Sequence, residues 1–302
     1  MADPRASVAE GMGLARRVLL RALLLGARVL QAAASFFSYL AAGAFSRADI
    51  SRSLVVEWDD FGRLPDRVRY GLHPWEREFY GRFLRRDDRI LLVGCGTGRD
   101  LLPLLEDGYE TEGIDLAPSA IEACAENVKA RGLAATLHVG PIETATFDTR
   151  FDTIVFSWWC YGYLPGRAAR AQALANVRRH LRPRGQVLLS YVSWPEGAKR
   201  PPLWLTRLSC ALLRTGWQPE AGDAVWLLGG WRRPYLHFEH RFTADEIEGE
   251  ARAAGLHVAC HEPGGEARLA LALPPETVGD EGQPARPSTV RTAEASGTKD
   301  SS

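Results

Sequence analysis

An α/β fold is predicted, built on a doubly wound, mostly parallel sheet of seven strands closed by an antiparallel hairpin. Three observations predict it. Strand-like and helix-like stretches alternate from about residue 51 to residue 273, the pattern of a parallel sheet covered by helices on both faces. The apolar run "RILLVG" leads at once into three glycines at alternate positions, Gly94, Gly96 and Gly98, the mark of a tight strand-to-helix turn. Near the end, "LHVACHE" and "ARLALAL" flank the turn "PGGE", a hairpin signal.

The elements follow in order. "RILLVG" is the first strand, and "RDLLPLLEDG" has helical spacing despite Pro103, with Gly108 as its stop. "TEGID" is a second strand. "APSAIEACAENVKARG" is a helix, opened by Pro118 and ended by Gly132. "ATLHV" and "FDTIVFS" are strands three and four. "RAARAQALANVRRHL" is an arginine-faced helix that runs through the turn "RPRG" to the strand "QVLLSYV". "TADEIEGEARAAG" is a helix with Thr243 as its cap and acids in its first turn. After Pro274 the composition turns to Pro, Gly, Ser and Thr, so residues 274–302 are expected to form a disordered tail. Residues 1–50 read as a separate N-terminal segment and residues 51–273 as the main domain.

The 302-residue chain is 46% hydrophobic and 25% charged, and its 37 Lys+Arg balance 37 Asp+Glu. No net field draws it to nucleic acid. Its five cysteines, Cys95, Cys124, Cys160, Cys210 and Cys260, are scattered without a C-x-x-C pair, which points away from a disulfide framework or zinc ribbon.

The glycine turn carries the functional argument. A strand that bends sharply into a helix leaves free amides at the helix start, and missing side chains let a ligand approach them. The spacing is G-x-G-x-G rather than the dinucleotide G-x-G-x-x-G, and no P-loop lysine follows, so nicotinamide cofactors and nucleoside triphosphates are disfavoured. Asp115 ends the next strand, where a carboxylate can accept both hydroxyls of a ribose.

These stretches resemble the class I S-adenosylmethionine-dependent methyltransferases. The resemblance covers about residues 70–273 and rests on "LLVGCGTGRD", "YETEGIDLAPSAIE", "FDTIVFSWWCYGYLP" and "HLRPRGQVLLSYV". It implies S-adenosylmethionine as cofactor, with Gly94, Cys95 and Gly96 beside its methionine part and Gly98 in the same cofactor site. It further implies that Asp115 holds the ribose and Leu116 lies along the adenine, that Gly140, Pro141, Ile142 and Ser157 line the same site, and that Tyr70 closes over it. In place of the family's acid after the third strand stands "HVGPIET", with Glu143 as the alternative polar partner of the adenine. Arg184 replaces the usual glycine of the turn before the fifth strand.

The acceptor is expected where "SWWCYGYLP" leaves the fourth strand, among Trp158, Trp159, Tyr161 and Tyr163. The signatures of exocyclic-amine nucleic-acid and arginine methyltransferases are missing. An insert of about residues 194–241, with Trp194, Trp204, Trp217, Trp226 and Trp231, is expected to cover the acceptor pocket, as such inserts do in related enzymes; aromatic walls suit an apolar or planar small molecule. Tyr161 and His237 are the candidates for a catalytic base. Strand alternation sets Tyr235, His237 and Glu239 on one face and His240 on the other, so no metal site is expected; His257 and His261 read as structural.

Between residues 11 and 45 the chain is apolar and alanine-rich, with arginines and no acid. Arg17, Arg21, Arg28, Gln31, Ser35 and Ser38 share one narrow helical stripe, interrupted by Leu24. So wide an apolar arc must be buried somewhere, which leaves three destinations for residues 14–45: a membrane surface, the protein itself or a second copy, or a membrane span. The expectation is a cytoplasmic methyltransferase, peripheral at the inner membrane face, acting on a small acceptor at O, N or C. Two alternatives stand beside it: transfer to a lipid or quinone-like acceptor at the membrane, and cofactor binding without turnover.

Overall fold

The computed structural model describes residues 12–62, 67–194, 197, 200–229, 233–264 and 266–274. The tail expected beyond residue 274, and Trp231, lie outside the described residues. Helices α1 (Leu14–Ala42), α2 (Arg47–Gly62), the single turn α3 (Arg67–Tyr70) and α4 (Pro74–Phe83) come first. Then follow β1 (Arg89–Val93), α5 (Leu101–Glu106), β2 (Glu110–Asp115), α6 (Pro118–Ala130), β3 (Leu137–Val139), β4 (Phe151–Phe156), α7 (Arg167–His180) and β5 (Leu181–Val192). Helix α8 (Leu203–Leu213) and a separate hairpin of β6 (Asp223–Leu228) and β7 (Tyr235–His240) lead to α9 (Ala244–Ala253), β8 (His257–Glu262) and β9 (Glu266–Ala272).

The seven-stranded sheet has the order β3-β2-β1-β4-β5-β9-β8. The first five strands are parallel, while β9 pairs antiparallel with both β5 and β8. The apolar run of β1 follows from its place at the centre, covered on both faces. Ile90 and Leu92 enter one core layer with Leu101, Cys124 and Phe79. Leu91 and Val93 enter the other with Phe156, Val177 and Ile247. The predicted elements are all present. The "RPRG" turn is absorbed into β5 as an irregularity: Leu181 pairs with Phe151 and Gln186 with Thr153, the extra residues being taken up where Arg184 adopts φ +64°.

A third apolar cluster joins the chain's beginning to the insert. Ala42, Ile50 and Leu54 pack with Cys210, Trp217, Val225, Leu236 and Phe238. The boundary expected at residue 50 therefore falls inside α2, which belongs with the main domain. Helix α2 starts at a capping box: the Asp49 carboxylate accepts from the Ser46 amide at 2.9 Å, and Ser46 Oγ accepts from the Asp49 amide at 3.2 Å. In the turn before it, a side chain at Gly43 would meet Ser209 at 2.5 Å and the Thr206 carbonyl at 2.6 Å.

A buried ionic network ties α7 to α9 and the insert. The fully buried Arg170 pairs with Glu250 at 2.7 Å and with Glu220 at 2.7 Å, and Tyr161 donates to Glu250 at 2.8 Å.

Candidate active site

The carboxyl ends of β1, β2 and β4 open onto a cavity of about 540 Å³. The three loop glycines, alike in sequence, differ in what backs them. All take positive φ, at +73°, +51° and +100°, a region that other residues rarely enter. A Cβ on Gly94 would strike Cys160 at 2.9 Å, and one on Gly98 would press on Cys124 at 3.2 Å and Leu102 at 3.4 Å. Gly96 alone has nothing within 4 Å, so its missing side chain opens space toward the cavity. Gly94, Cys95 and Gly96 line that cavity, and Gly98 lies behind them, packed on α5 and α6.

Asp115 is held rigidly beside Gly96. Its Oδ2 accepts from the Gly96 amide at 2.8 Å and its Oδ1 from the Ala117 amide at 2.9 Å. Burial raises its pKa, and these amides oppose the rise. A carboxylate offers about four acceptor sites, so the group can still accept from a ribose hydroxyl beside these amides. Leu116 and Ile142 supply apolar flanks, with Gly140 and Pro141 between them in the chain and on the same wall. The Gly140 amide donates to the Asp115 carbonyl at 2.9 Å, which fixes that wall to β2. Glu143 also lines the cavity, its pKa raised by burial. Open backbone at Gly96, a pinned carboxylate and apolar flanks fit a nucleoside cofactor with a free ribose.

Beneath the loop lies a second charged cluster. Arg99 lines the cavity and is gripped by Glu76 at 2.7 and 2.6 Å and by the Gly71 carbonyl at 3.1 Å. Its guanidinium also lies over the Trp158 ring at 4.7 Å. Neighbouring Asp100 accepts from Ser157 at 2.6 Å, and burial pushes its pKa up to about 7, with Arg99 opposing.

On the acceptor side, Trp158 and Trp159 stand consecutively at φ +24° and +61°, strained backbone of the kind that gathers at functional sites. Trp158, Tyr163 and Ser157 line the cavity. Trp159 and Tyr161 do not. Tyr161 is fully buried in the core, its hydroxyl given to Glu250 and its pKa pushed far up by burial and that neighbouring carboxylate; it cannot reach an acceptor as a base. His237 is also outside the lining, with Nδ1 against Glu57 at 2.6 Å and its ring 6.0 Å from that of Tyr163. Tyr70 is 72% exposed and away from the cavity; its neighbour Gly71 and Glu76 reach the site instead, through Arg99.

The roof of the cavity is α2, where the insert was expected. Ala48, Ser51, Leu54 and Trp58 form its wall, and among the described residues no part of 194–241 does. The insert backs α2 from outside. Three latches hold the helix: Glu57 to His237, the Trp58 ring 4.9 Å from that of Tyr163, and Asp59 to Ser119. A small-to-apolar stripe at three- and four-residue steps was the available signal, hidden because Trp58 sits among charged and loop-like neighbours. Trp217 is buried under Phe238 and Trp204 is exposed, so neither contacts the cavity.

Glu220, Asp223 and His240 bring three ligand-type atoms within 4.8 Å of one another. They are already spoken for. His240 bonds Asp223 at 2.6 Å and Glu246 at 3.2 Å, and Arg170 sits on Glu220. Burial works against the charged imidazole, yet these carboxylates raise its pKa. Through these contacts the cluster braces the insert's Glu220 and Asp223 against β7, α7 and α9.

Residues 90–185 match the family described as "Methyltransferase domain". A putative methyltransferase of Bacillus subtilis, YqeM, is 31% identical over 100 residues, covering 33% of this chain and 40% of that protein. A ubiquinone biosynthesis O-methyltransferase of Rickettsia conorii is 25% identical over 131 residues, 43% of this chain and 42% of its own. The chain thus spans less than half the length of these curated relatives. Among solved structures, a SAM-dependent methyltransferase of Methanosarcina mazei superposes with a TM-score of 0.51 at 21% identity, over 68% of this chain and 100% of that one, a likeness of fold. Sheet order, the Gly96–Asp115 geometry and the methyltransferase domain matched over residues 90–185 converge on a likeness to the S-adenosylmethionine-dependent methyltransferases, whose fold this chain shares.

Proposed function

We propose that this chain transfers the methyl group of S-adenosylmethionine to a small, apolar or aromatic acceptor at O, N or C. One observation carries the reading: a single cavity has the open Gly96 backbone and pinned Asp115 on one side, and the rings of Trp58, Trp158 and Tyr163 on the other. When bound, the sulfonium cofactor would supply an electrophilic methyl group: an acceptor lone pair would bond to its carbon in line with the breaking C–S bond, and the neutral thioether would leave with that bond's electrons. The residues here bind and orient: Asp115 grips, Leu116 and Ile142 sandwich, α2 excludes water, and the aromatic walls align the acceptor. Orientation of this kind supplies on the order of 7–11 kcal/mol of barrier reduction. A base is required only where the acceptor must lose its proton.

Transfer to a quinone-like or lipid acceptor is the second reading. It is supported by the exposed apolar helix α1 that leads into the roof, and by the likeness to ubiquinone biosynthesis O-methyltransferases.

Calorimetric titration with S-adenosylmethionine and its demethylated product, with NAD as control, tests the binding half. Asp115→Ala is expected to weaken both ligands by about 1.5–3 kcal/mol; binding equal to the parent removes the ribose assignment. Consumption of labelled cofactor with phenolic, amine and quinol acceptors tests turnover. Tight binding with no consumption would favour cofactor binding without turnover.

A further inference from the structure

Helix α1 is 29 residues long, about 43 Å at the α-helical rise, yet among its residues only Ala42 is buried. Leu19, Leu23, Leu25, Leu30 and Phe37 are each more than 60% exposed. Its last turn is the part that docks: Tyr39 and Ala42 join the third apolar cluster, and the Tyr39 carbonyl accepts from Thr206 at 2.8 Å. The helix it docks on, α8, continues the exposed surface. Its inner face, Thr206, Ser209 and Cys210, is buried, while Trp204, Leu208 and Leu212 form a stripe at four-residue steps exposed by 61%, 48% and 72%. The charge pattern of the two helices is one-sided. Arg16, Arg17, Arg21 and Arg28 lie on α1 and Arg207 on α8, with no acid on either.

We infer that α1 and the outer stripe of α8 form one surface that docks on an anionic lipid bilayer, α1 lying in the interface plane. Contiguous apolar area of this size is rare on soluble proteins without a partner. A partner that accepts apolar side chains and also draws arginines is an anionic lipid surface. Lying flat is favoured over crossing. With the last turn held by the domain, the free part of α1 has four arginines, and the uncharged run after Arg28 is too short before Tyr39 for the roughly 20 residues a span needs. Arginines at mid-bilayer depth are costly, whereas Arg17, Arg21 and Arg28, on one stripe, reach the headgroups from a helix lying flat. Docking through this face does not depend on the reaction in the cavity.

The full chain is tested by co-sedimentation with phosphatidylcholine vesicles, with and without phosphatidylserine, at low and high salt. Binding is expected on the phosphatidylserine vesicles and loss of it at high salt. Arg17→Gln/Arg21→Gln/Arg28→Gln should lower partitioning on the order of a hundredfold, about fivefold per charge. Trp204→Ser/Leu208→Ser/Leu212→Ser should lower it at least about tenfold. All six positions lie on the helix surfaces, and circular dichroism melting confirms that each variant folds. Failure to bind either vesicle overturns the inference. So does binding indifferent to phosphatidylserine and to the arginine variant, or to the α8 variant. A stable dimer by light scattering that ignores vesicles assigns the surface to a second copy instead.

Discussion

Side chains around the glycine loop show how identical letters take different duties. The sequence presents Gly94, Gly96 and Gly98 as one motif, and the motif does lead to the cavity, which Gly94 and Gly96 line. What separates them is the backing by Cys160 and by Cys124, which come from elements far along the chain, so no local reading could tell clearance for packing from clearance for a ligand. Asp115 was legible because a strand-end acid has few structural alternatives. Asp100 was not, since its character comes from burial beside Arg99, Glu76 and Ser157. An acid at 3.8 in the unfolded chain and at about 7 when folded makes the native state hold an extra proton between those values. Stability from this group therefore declines as pH rises from about 4 to 7. Asp100→Asn, which still accepts from Ser157, should flatten that decline by a few kcal/mol, at about 1.4 kcal/mol per pH unit. Urea midpoints measured across the range check it; parallel curves for parent and variant would refute it.

At the scale of elements, the strands and helices were readable from their periods, and the closing hairpin from its turn. Helix α2 was the part that could not be read. Its functional wall depends on lying across the sheet's carboxyl edge, a long-range placement that α2's own sequence does not encode. The insert's tryptophans drew the eye, yet Trp217 fills the core that supports α2, and Trp58 faces the cavity. Tyr161 misled for the same reason: ring content at a strand end does not say which rings turn inward. Trp58→Ala removes the contact with Tyr163. It is expected to cost about 1–2 kcal/mol, below the 3–5 typical of a fully buried tryptophan, to speed amide exchange across residues 48–58 and to weaken binding of the demethylated cofactor several-fold. Exchange in α2 identical to the parent would show that the roof is held by its other two latches alone.

Across the whole molecule, the N-terminal segment divides between a projecting rod and an integral piece. Composition revealed the apolar arc of α1, but only the packing shows that its far length adds nothing to the fold while its end does. Removal of residues 1–36 should leave the unfolding free energy within about 1 kcal/mol of the parent, as changes at exposed positions do. Removal of residues 1–46 takes away Tyr39, Ala42 and the Gly43 carbonyl that accepts from Thr215 at 3.1 Å. That loss should cost roughly 2–4 kcal/mol. Scanning calorimetry of the two truncations decides between this division and a uniformly loose segment.

Gly43 gives that division a mechanical meaning. Seated against Ser209 and the Thr206 carbonyl without room for a methyl group, it bolts the elbow between rod and roof, and the Ser46–Asp49 box stiffens the next turn. The rod is then a lever rather than a leash: a load on its free end arrives as torque on the helix that ceilings the cavity.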